Sequence, residues 1–468
     1  MRLLRTLSTP ILSVVVLVAA GCVSPPQQGS GANTSDTAQL EQPASGAESE
    51  SEAAPLGPAL EPPTRGAFET GEYRNLFAQL GKPEAEIQQK LEAAYQQLFH
   101  GNAEEQTVMF SAGRNAEGPL AYIMDIGHSD VRSEGMSYGM MIAVQMDKKE
   151  DFDALWNWSR TYMYHESEKH PAHGYFAWQM RTDGTAIDEM PAPDGEEYFA
   201  MALYFAAHRW GNGDGIYNYT SEANRILRDM VHRQPITGTV NGDRETTGVS
   251  LFNTEHKMIR FTPDSGNFEK NGDHTDPSYH LPAFYELWAL WGPREDRAFW
   301  SEAAQVSRDF FVKTTHPQTA LSPDYANFDG SPKSASWDAD TKNFRYDAWR
   351  TAMNWAVDYA WWARDSRQIQ MSDKILAFFA KQGPGYPVTY TLDGQPTNST
   401  HSAGLVATNA VAALAATHPR AWRFVDTLYD WKPPTGQWRY YDGMLYMMSL
   451  LHVAGQFRIW APEAGSSQ

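Results

Sequence analysis

The sequence holds a single cysteine, Cys22, among its 468 residues. Beyond that position there is no thiol. Disulfides, cysteine-ligated zinc and thiolate nucleophiles are therefore excluded for the rest of the chain. Positive charge is scarce as well: 38 Lys and Arg stand against 57 Asp and Glu, a formal net charge of −19. Such a surface repels nucleic acid and anionic lipid, which disfavours polyanionic partners and suits a neutral substrate. There is no Gly-rich phosphate cradle followed by Lys and no dinucleotide fingerprint, so no cofactor is expected. His165, His170 and His173 fall in a loop, without an i, i+4 helical pair or an implied acidic partner. No metal is expected there. What the chain does have is rings: 16 Trp and 22 Tyr, with aromatics at 13% of all residues. They suit a ring-rich helical core, and equally a cleft whose rings stack on sugar faces.

The first 22 residues read as a bacterial export signal. Arg2 and Arg5 form a basic start, Ile11 to Ala20 a short apolar run, and Ala19-Ala20-Gly21 a small-residue end. The apolar run is too short for a comfortable transmembrane helix. Leu17-Val18-Ala19-Ala20-Gly21-Cys22 resembles a lipobox, which implies cleavage before Cys22 and a lipid on its sulfur. The alternative is a plain signal peptide with an accidental cysteine. Val23 is not an acidic inner-membrane retention residue, so the outer membrane is expected where the host has one. Residues 23–65 are rich in Ser, Gly, Ala, Pro, Glu and Gln. Too little apolar surface is available there to offset ordering entropy, and the segment reads as a flexible tether.

From residue 66 to 462 helical periodicity dominates, leaving 463–468 as a short tail. Helices are expected near 82–100, 133–147, 151–164, 194–210, 219–233, 278–292, 294–313, 347–364, 372–382, 402–417, 420–431 and 440–454. Ser133 and Asp194 stand where N-caps belong. Strand signals are short, around 386–391 and from Ala121 to Ile126. About twelve helices form either a solenoid or a closed ring of hairpins. The absence of a clean repeat weighs against the solenoid. Pattern alone gives one all-α domain.

Several segments could carry chemistry. Glu134 opens a helix after Ser133, with Gly135 and Gly139 following. A first-turn carboxylate also simply complements the helix dipole. Gly135-Met136-Ser137-Tyr138-Gly139 matches a serine-hydrolase elbow. That motif needs a strand running straight into the turn, whereas the nearest strand-like run ends several residues earlier. Asp194 could cap its helix or face a cleft. Asp347 and Arg350 are spaced for an i, i+3 ion pair, which could equally hold a carboxylate ionised and aimed at a water. Asp276 to His280 and Trp438 to Asp442 are dense in rings and hydrogen-bonding groups.

Taken together, these blocks resemble glycoside hydrolase family 8. The resemblance rests on Ser133 to Gln145, Gly174-Tyr175-Phe176-Ala177-Trp178, Ala192 to Ala200, Asp276 to Pro282 and Arg439-Tyr440-Tyr441-Asp442. Within the family they look most like reducing-end xylose-releasing exo-oligoxylanases. The resemblance implies an (α/α)6 barrel, a xylo-oligosaccharide substrate and inversion at the anomeric carbon. It makes Glu134 the general acid and Asp347 the general base, with Asp194 at the −1 sugar. Arg350 would support Asp347, Tyr279 would touch the attacking water and Trp178 would be a stacking platform. Tyr440 and Tyr441 would both lie near the −1 sugar, with no choice between them. This is coherent chemistry: inversion needs one protonated and one ionised carboxyl on opposite faces, with room for a water. Burial and a neighbouring carboxylate keep an acid protonated.

Exo-action in the resembling enzymes uses a Leu-His-Pro loop that blocks the cleft beyond +1. Here His401 is retained, but its neighbours are Thr400 and Ser402. Without that proline the loop is less rigid. Reducing-end exo-action, endo-acting β-1,4-xylanase action and a non-catalytic oligosaccharide-binding lipoprotein therefore stay open.

Overall fold

The computed structural model describes residues 57–265 and 274–462. Two short helices, α1 (Ala67–Thr70) and α2 (Leu76–Gln79), lead into α3 (Glu84–His100), α4 (Ser133–Gln145) and α5 (Lys149–Trp158). Next come α6 (Pro193–Trp210), α7 (Tyr219–His232), α8 (Pro282–Trp291), α9 (Arg297–Thr314) and α10 (Ala348–Trp362). The last four are α11 (Arg367–Gln382), α12 (Ala403–Ala412), α13 (Ala421–Asp430) and α14 (Arg439–Val453). From α3 onward the helices alternate in character. Helices α4, α6, α8, α10, α12 and α14 are buried nearly all round. Helices α3, α5, α7, α9, α11 and α13 bury one stripe and turn the other to solvent. A helix apolar on every side must be wrapped by others, and an amphipathic one does the wrapping.

The inner six close on themselves. Helix α4 packs on α6, and α8, α10, α12, α14 and α4 pack in succession. Between α6 and α8 the ring of Tyr198 meets Phe284 edge-on at 5.2 Å. This is the (α/α)6 barrel, and the twelve expected helices are its twelve long ones.

Local chemistry moved several boundaries. Neither Ser133 nor Asp194 is an N-cap. Ser133 is the first residue of α4, and Arg132 in extended conformation precedes it. Helix α6 starts at Pro193, so Asp194 is its second residue. Proline is pre-set for a first helical position, which frees the Asp194 carboxylate to face inward. Helix α8 likewise waits for Pro282, and Pro277–Tyr279 forms a separate 3-10 turn. Residues 57–65, expected as the end of the tether, are pinned to the barrel at two points: Leu60 is 3% exposed, and the Trp422 indole donates to the Pro58 carbonyl at 2.8 Å. The export segment, Cys22 and the rest of the tether lie outside the described residues.

An antiparallel sheet also went unforeseen in most of its strands. It comprises β1 (Met109–Arg114), β2 (Pro119–Asp125), β3 (Asp130–Arg132), β4 (Gln179–Met180) and β5 (Ala186–Asp188), paired in that order. Four of the five are short or partly polar and lack alternation. Strand β3 runs into α4 with no intervening residue. Expected strand 386–391 is reduced to isolated bridges at Tyr390 with Phe344 and Pro396.

A buried ion cluster ties an outer helix to two inner ones. Arg308 of α9 donates to Glu286 of α8 at 2.7 Å and to both Asp358 oxygens of α10 at 2.7 and 2.8 Å. Removing one partner of a buried pair leaves uncompensated charge. Arg308→Ala is therefore expected to destabilise the barrel by about 3–5 kcal/mol, read as a lowered denaturation midpoint with the slope unchanged.

Candidate active site

The first turns of α4, α6, α10 and α14, the residues just before α8 and the N-cap of α12 meet at one end of the barrel. Convergent helix N-termini direct partial positive charge to that end and favour anions there. At their centre lies Arg350, 2% exposed. Its Nη1 donates to Glu134 Oε2 at 2.8 Å, Asp194 Oδ2 at 2.9 Å and Tyr138 Oη at 2.6 Å. Its Nη2 lies 3.1 Å from Asp347 Oδ1 and 3.9 Å from Asp276 Oδ2. Glu134 and Asp347 thus occupy different forks of one guanidinium. The phenol of Tyr440 donates to the other Glu134 oxygen at 2.9 Å.

Small residues make this possible. A Cβ on Gly135 would fall 2.6 Å from the Tyr440 ring, and one on Gly195 would fall 2.6 Å from Ser133 Oγ. Both glycines let neighbours approach closer than any side chain allows.

Acid predominates here, and burial sets its protonation. Burial pushes the Glu134 carboxyl up to about 7; Arg350 draws it down, while charge on Asp194 and Asp347 adds to the rise. Asp194 is pushed up to about 6, by burial first and then by Asp347, against the pull of Arg350. Burial raises Asp347 too, opposed by Arg350 and Arg345. Asp276 and Asp324 stand well above the usual carboxylate range through burial and the nearby Asp347 charge. Such a site holds a carboxyl that titrates near neutrality on the same guanidinium as a second carboxyl, Asp347. It can deliver a proton on one side and accept one on the other.

The remaining expected residues distribute unevenly. Tyr440 contacts Glu134 directly, whereas Tyr441 donates to the Tyr346 carbonyl at 3.1 Å, its ring 5.9 Å from the Arg350 guanidinium carbon. The Tyr279 ring lies 5.9 Å from the same carbon. The Trp178 carbonyl accepts from Ser133 N at 3.0 Å, so this residue sits beside Glu134. Its ring is only 6% exposed and is faced by Arg132 at 5.7 Å. His401 stands apart from the cluster. It donates from Nδ1 to the Tyr386 carbonyl at 2.8 Å and lies edge-on to Tyr386 and Trp431. With them it lines a cavity of about 250 Å³ between α11 and α13. Ser402 caps α12 and bonds Asp442.

Three participants were missed. Tyr138 was legible as the i+4 neighbour of Glu134 on one helix face. Asp276 stood within a block already singled out. Asp324, paired with Arg345 at 3.3 Å, carried no signal. Ser137 of the elbow-like motif is buried mid-helix and donates to the Glu134 carbonyl, so it is no exposed nucleophile. The loop histidines do have an acidic partner: His165 and His170 stack at 4.0 Å, and His170 faces the Glu189 carboxylate at 3.4 Å.

Comparison with known proteins gives a consistent picture. A family model described as "Glycosyl hydrolases family 8" matches residues 125–455. The reducing end xylose-releasing exo-oligoxylanase of Halalkalibacterium halodurans is 43% identical over 407 residues, covering 86% of this chain and 97% of that protein. A catalytic mutant of a xylanase from Teredinibacter turnerae, solved as a xylohexaose complex, is 58% identical with a TM-score of 0.83. The match covers 85% of this chain and all of that one. Rex8A from Paenibacillus barcinonensis, solved with xylose, is 42% identical with a TM-score of 0.77, again over 85% of this chain and all of that one.

The protonation pattern is open to direct measurement. Carbon-13 NMR titration with labelled glutamate is expected to show one carboxyl ionising near pH 7. That resonance should be absent from Glu134→Gln. A Glu134 signal already ionised at pH 5 would contradict the burial argument.

Proposed function

The chain belongs to glycosyl hydrolase family 8, and from that premise we propose that it is an inverting hydrolase releasing xylose from the reducing end of xylo-oligosaccharides. The observation that carries this reading is the division of one buried guanidinium between two carboxyls, Glu134 and Asp347. Glu134, protonated at neutrality, gives its proton to the glycosidic oxygen as the bond to the anomeric carbon breaks. Asp347 removes a proton from the water that attacks the opposite face. The bond is replaced with inversion, so a β-linked substrate yields an α product. Asp194, on the same fork as Glu134, serves the −1 sugar. Tyr440 orients Glu134, and Trp178 offers the adjoining stacking surface. A protein that only binds oligosaccharide has no need of a carboxyl held protonated beside an ionised one.

A second reading, internal cleavage of longer chains, is favoured by one observation. Ser402 stands where a proline would stiffen the His401 loop.

We further propose that Cys22 carries a lipid that holds the enzyme to the cell envelope, at the outer membrane where one exists. The lipobox-like run before it supports this, and no helix among the described residues is long and apolar enough to cross a membrane. Cys22→Ser is expected to move the protein from the membrane fraction to the soluble fraction of exported material. Unchanged fractionation would refute the anchor.

The catalytic reading is tested with xylotriose labelled at its reducing end, followed by NMR of the new anomer. Labelled xylose, unlabelled xylobiose and a new α end are expected. Glu134→Ala and Asp347→Ala should each lower kcat by about 10²–10⁴-fold with the fold intact. The rate should fall as pH rises through about 7, because the acid must keep its proton. Mixed cleavage positions would move the reading to internal cleavage, and a β product would overturn inversion.

A further inference from the structure

The block that supplies Asp194 continues with two more acids, Glu196 and Glu197, both fully buried. Glu196 accepts from the Phe176 amide at 2.9 Å. Glu197 does something different. Its Oε1 lies 2.5 Å from the Tyr285 hydroxyl of α8, and that hydroxyl lies 3.2 Å from the Tyr279 carbonyl. Glu197 Oε2 has no hydrogen-bond partner among the described residues.

The turn that presents Tyr279 depends on its carbonyls. Asn354 of α10 donates to the Ser278 carbonyl at 2.7 Å and the His280 carbonyl at 3.3 Å. The Tyr279 carbonyl between them has Tyr285. Three successive carbonyls are thus met by two side chains from two inner helices, which fixes the direction in which the Tyr279 phenol leaves the turn.

Counting protons gives Glu197 its role. The Tyr285 hydroxyl has one proton and two acceptors within reach if Glu197 is ionised. The carboxylate would take that proton and leave the Tyr279 carbonyl without a donor. An ionised Glu197 would also be a buried charge without an ion-pair partner among the described residues, which is costly. A protonated Glu197 resolves both difficulties, because two protons then serve two bonds in one direction.

We propose that Glu197 is a positioning residue that acts as a neutral acid: it donates to Tyr285, which donates to the Tyr279 carbonyl and so aims Tyr279 at the attacking water. The inference rests on the hydrolytic reading above, in which Tyr279 touches that water. The groups around Glu197 agree with it. Burial holds its carboxyl well above the usual range, helped by Asp194 and Glu196 on its own helix and opposed by Tyr285 and by the more distant Arg350.

Three variants and one spectrum test it. In Glu197→Gln the amide N–H takes over the donation to Tyr285, so kcat on xylotriose should stay within about three-fold of the parent, with the fall through about pH 7 unmoved. Glu197→Ala and Tyr285→Phe break the relay and should lower kcat by about 10–100-fold while KM changes less than about two-fold. Infrared difference spectra of parent minus Glu197→Gln should show a protonated-carboxyl carbonyl band at neutral pH. The proposal is overturned if Glu197→Gln loses as much kcat as Tyr285→Phe, if Tyr285→Phe keeps full kcat, or if the band is missing. Should Glu197→Ala fold poorly, the Gln and Phe variants make the same decision. If xylotriose is not a substrate, parent and variants fail alike in the kinetic assay, and the infrared band still decides the proton on Glu197.

Discussion

A single guanidinium sets the terms for everything at the open end of this barrel. Arg350 binds Glu134, Asp194 and Tyr138 through one nitrogen and reaches Asp347 and Asp276 through the other. Without it, several buried carboxyls would repel one another in a low-dielectric space, and most would neutralise. With it, the charge deficit is partly met, since the guanidinium opposes the rise that burial imposes on Glu134, Asp194 and Asp347. Because its five donors lie in one plane, the guanidinium fixes directions as well as charge. Helices α8 and α10 are held to the outer helix α9 by a second buried arginine, Arg308.

Much of this was visible in the sequence because it is local. Helical periodicity is written in the sequence, and all twelve long helices followed from it. Glu134 and Asp347 were legible at helix starts, and the block pattern joined them to a known chemistry. What could not be read is what depends on sequence-distant contacts. Glu134 and Arg350 lie 216 positions apart. The i, i+3 spacing of Asp347 and Arg350 suggested a private pair, whereas the arginine is shared among acids from several helices. Asp324 gave no local sign because its partner, Arg345, arrives from another segment. The cap reading of Asp194 failed for a related reason: cap propensity is a local preference, and Pro193 together with a buried arginine overrode it.

The rings divide along similar lines. Most of the tryptophans fill the wall between inner and outer helices, as a ring-rich core would have them. A smaller set of rings, Trp178, Tyr279, Tyr440 and Tyr441, surrounds the acids. Composition could not apportion these two uses, since both bury aromatic surface and differ only in what lies opposite each ring. His401 lies apart from both sets, bonded to the Tyr386 carbonyl and edge-on to Trp431.

The seam between β3 and α4 has a further meaning. Arg132 closes the strand and Ser133 opens the helix, while the Ser133 amide is bonded to the Trp178 carbonyl. Trp178 and Glu134 are thereby mounted on one rigid piece, with no loop to take up slack, and they keep a set separation whatever the remainder of the chain does. Loop length, the usual means by which related enzymes diverge, has no purchase at this point. One residue added or removed at the seam would turn Glu134 by about 100° around the helix axis. Diversification of this flank is therefore confined to side-chain exchange.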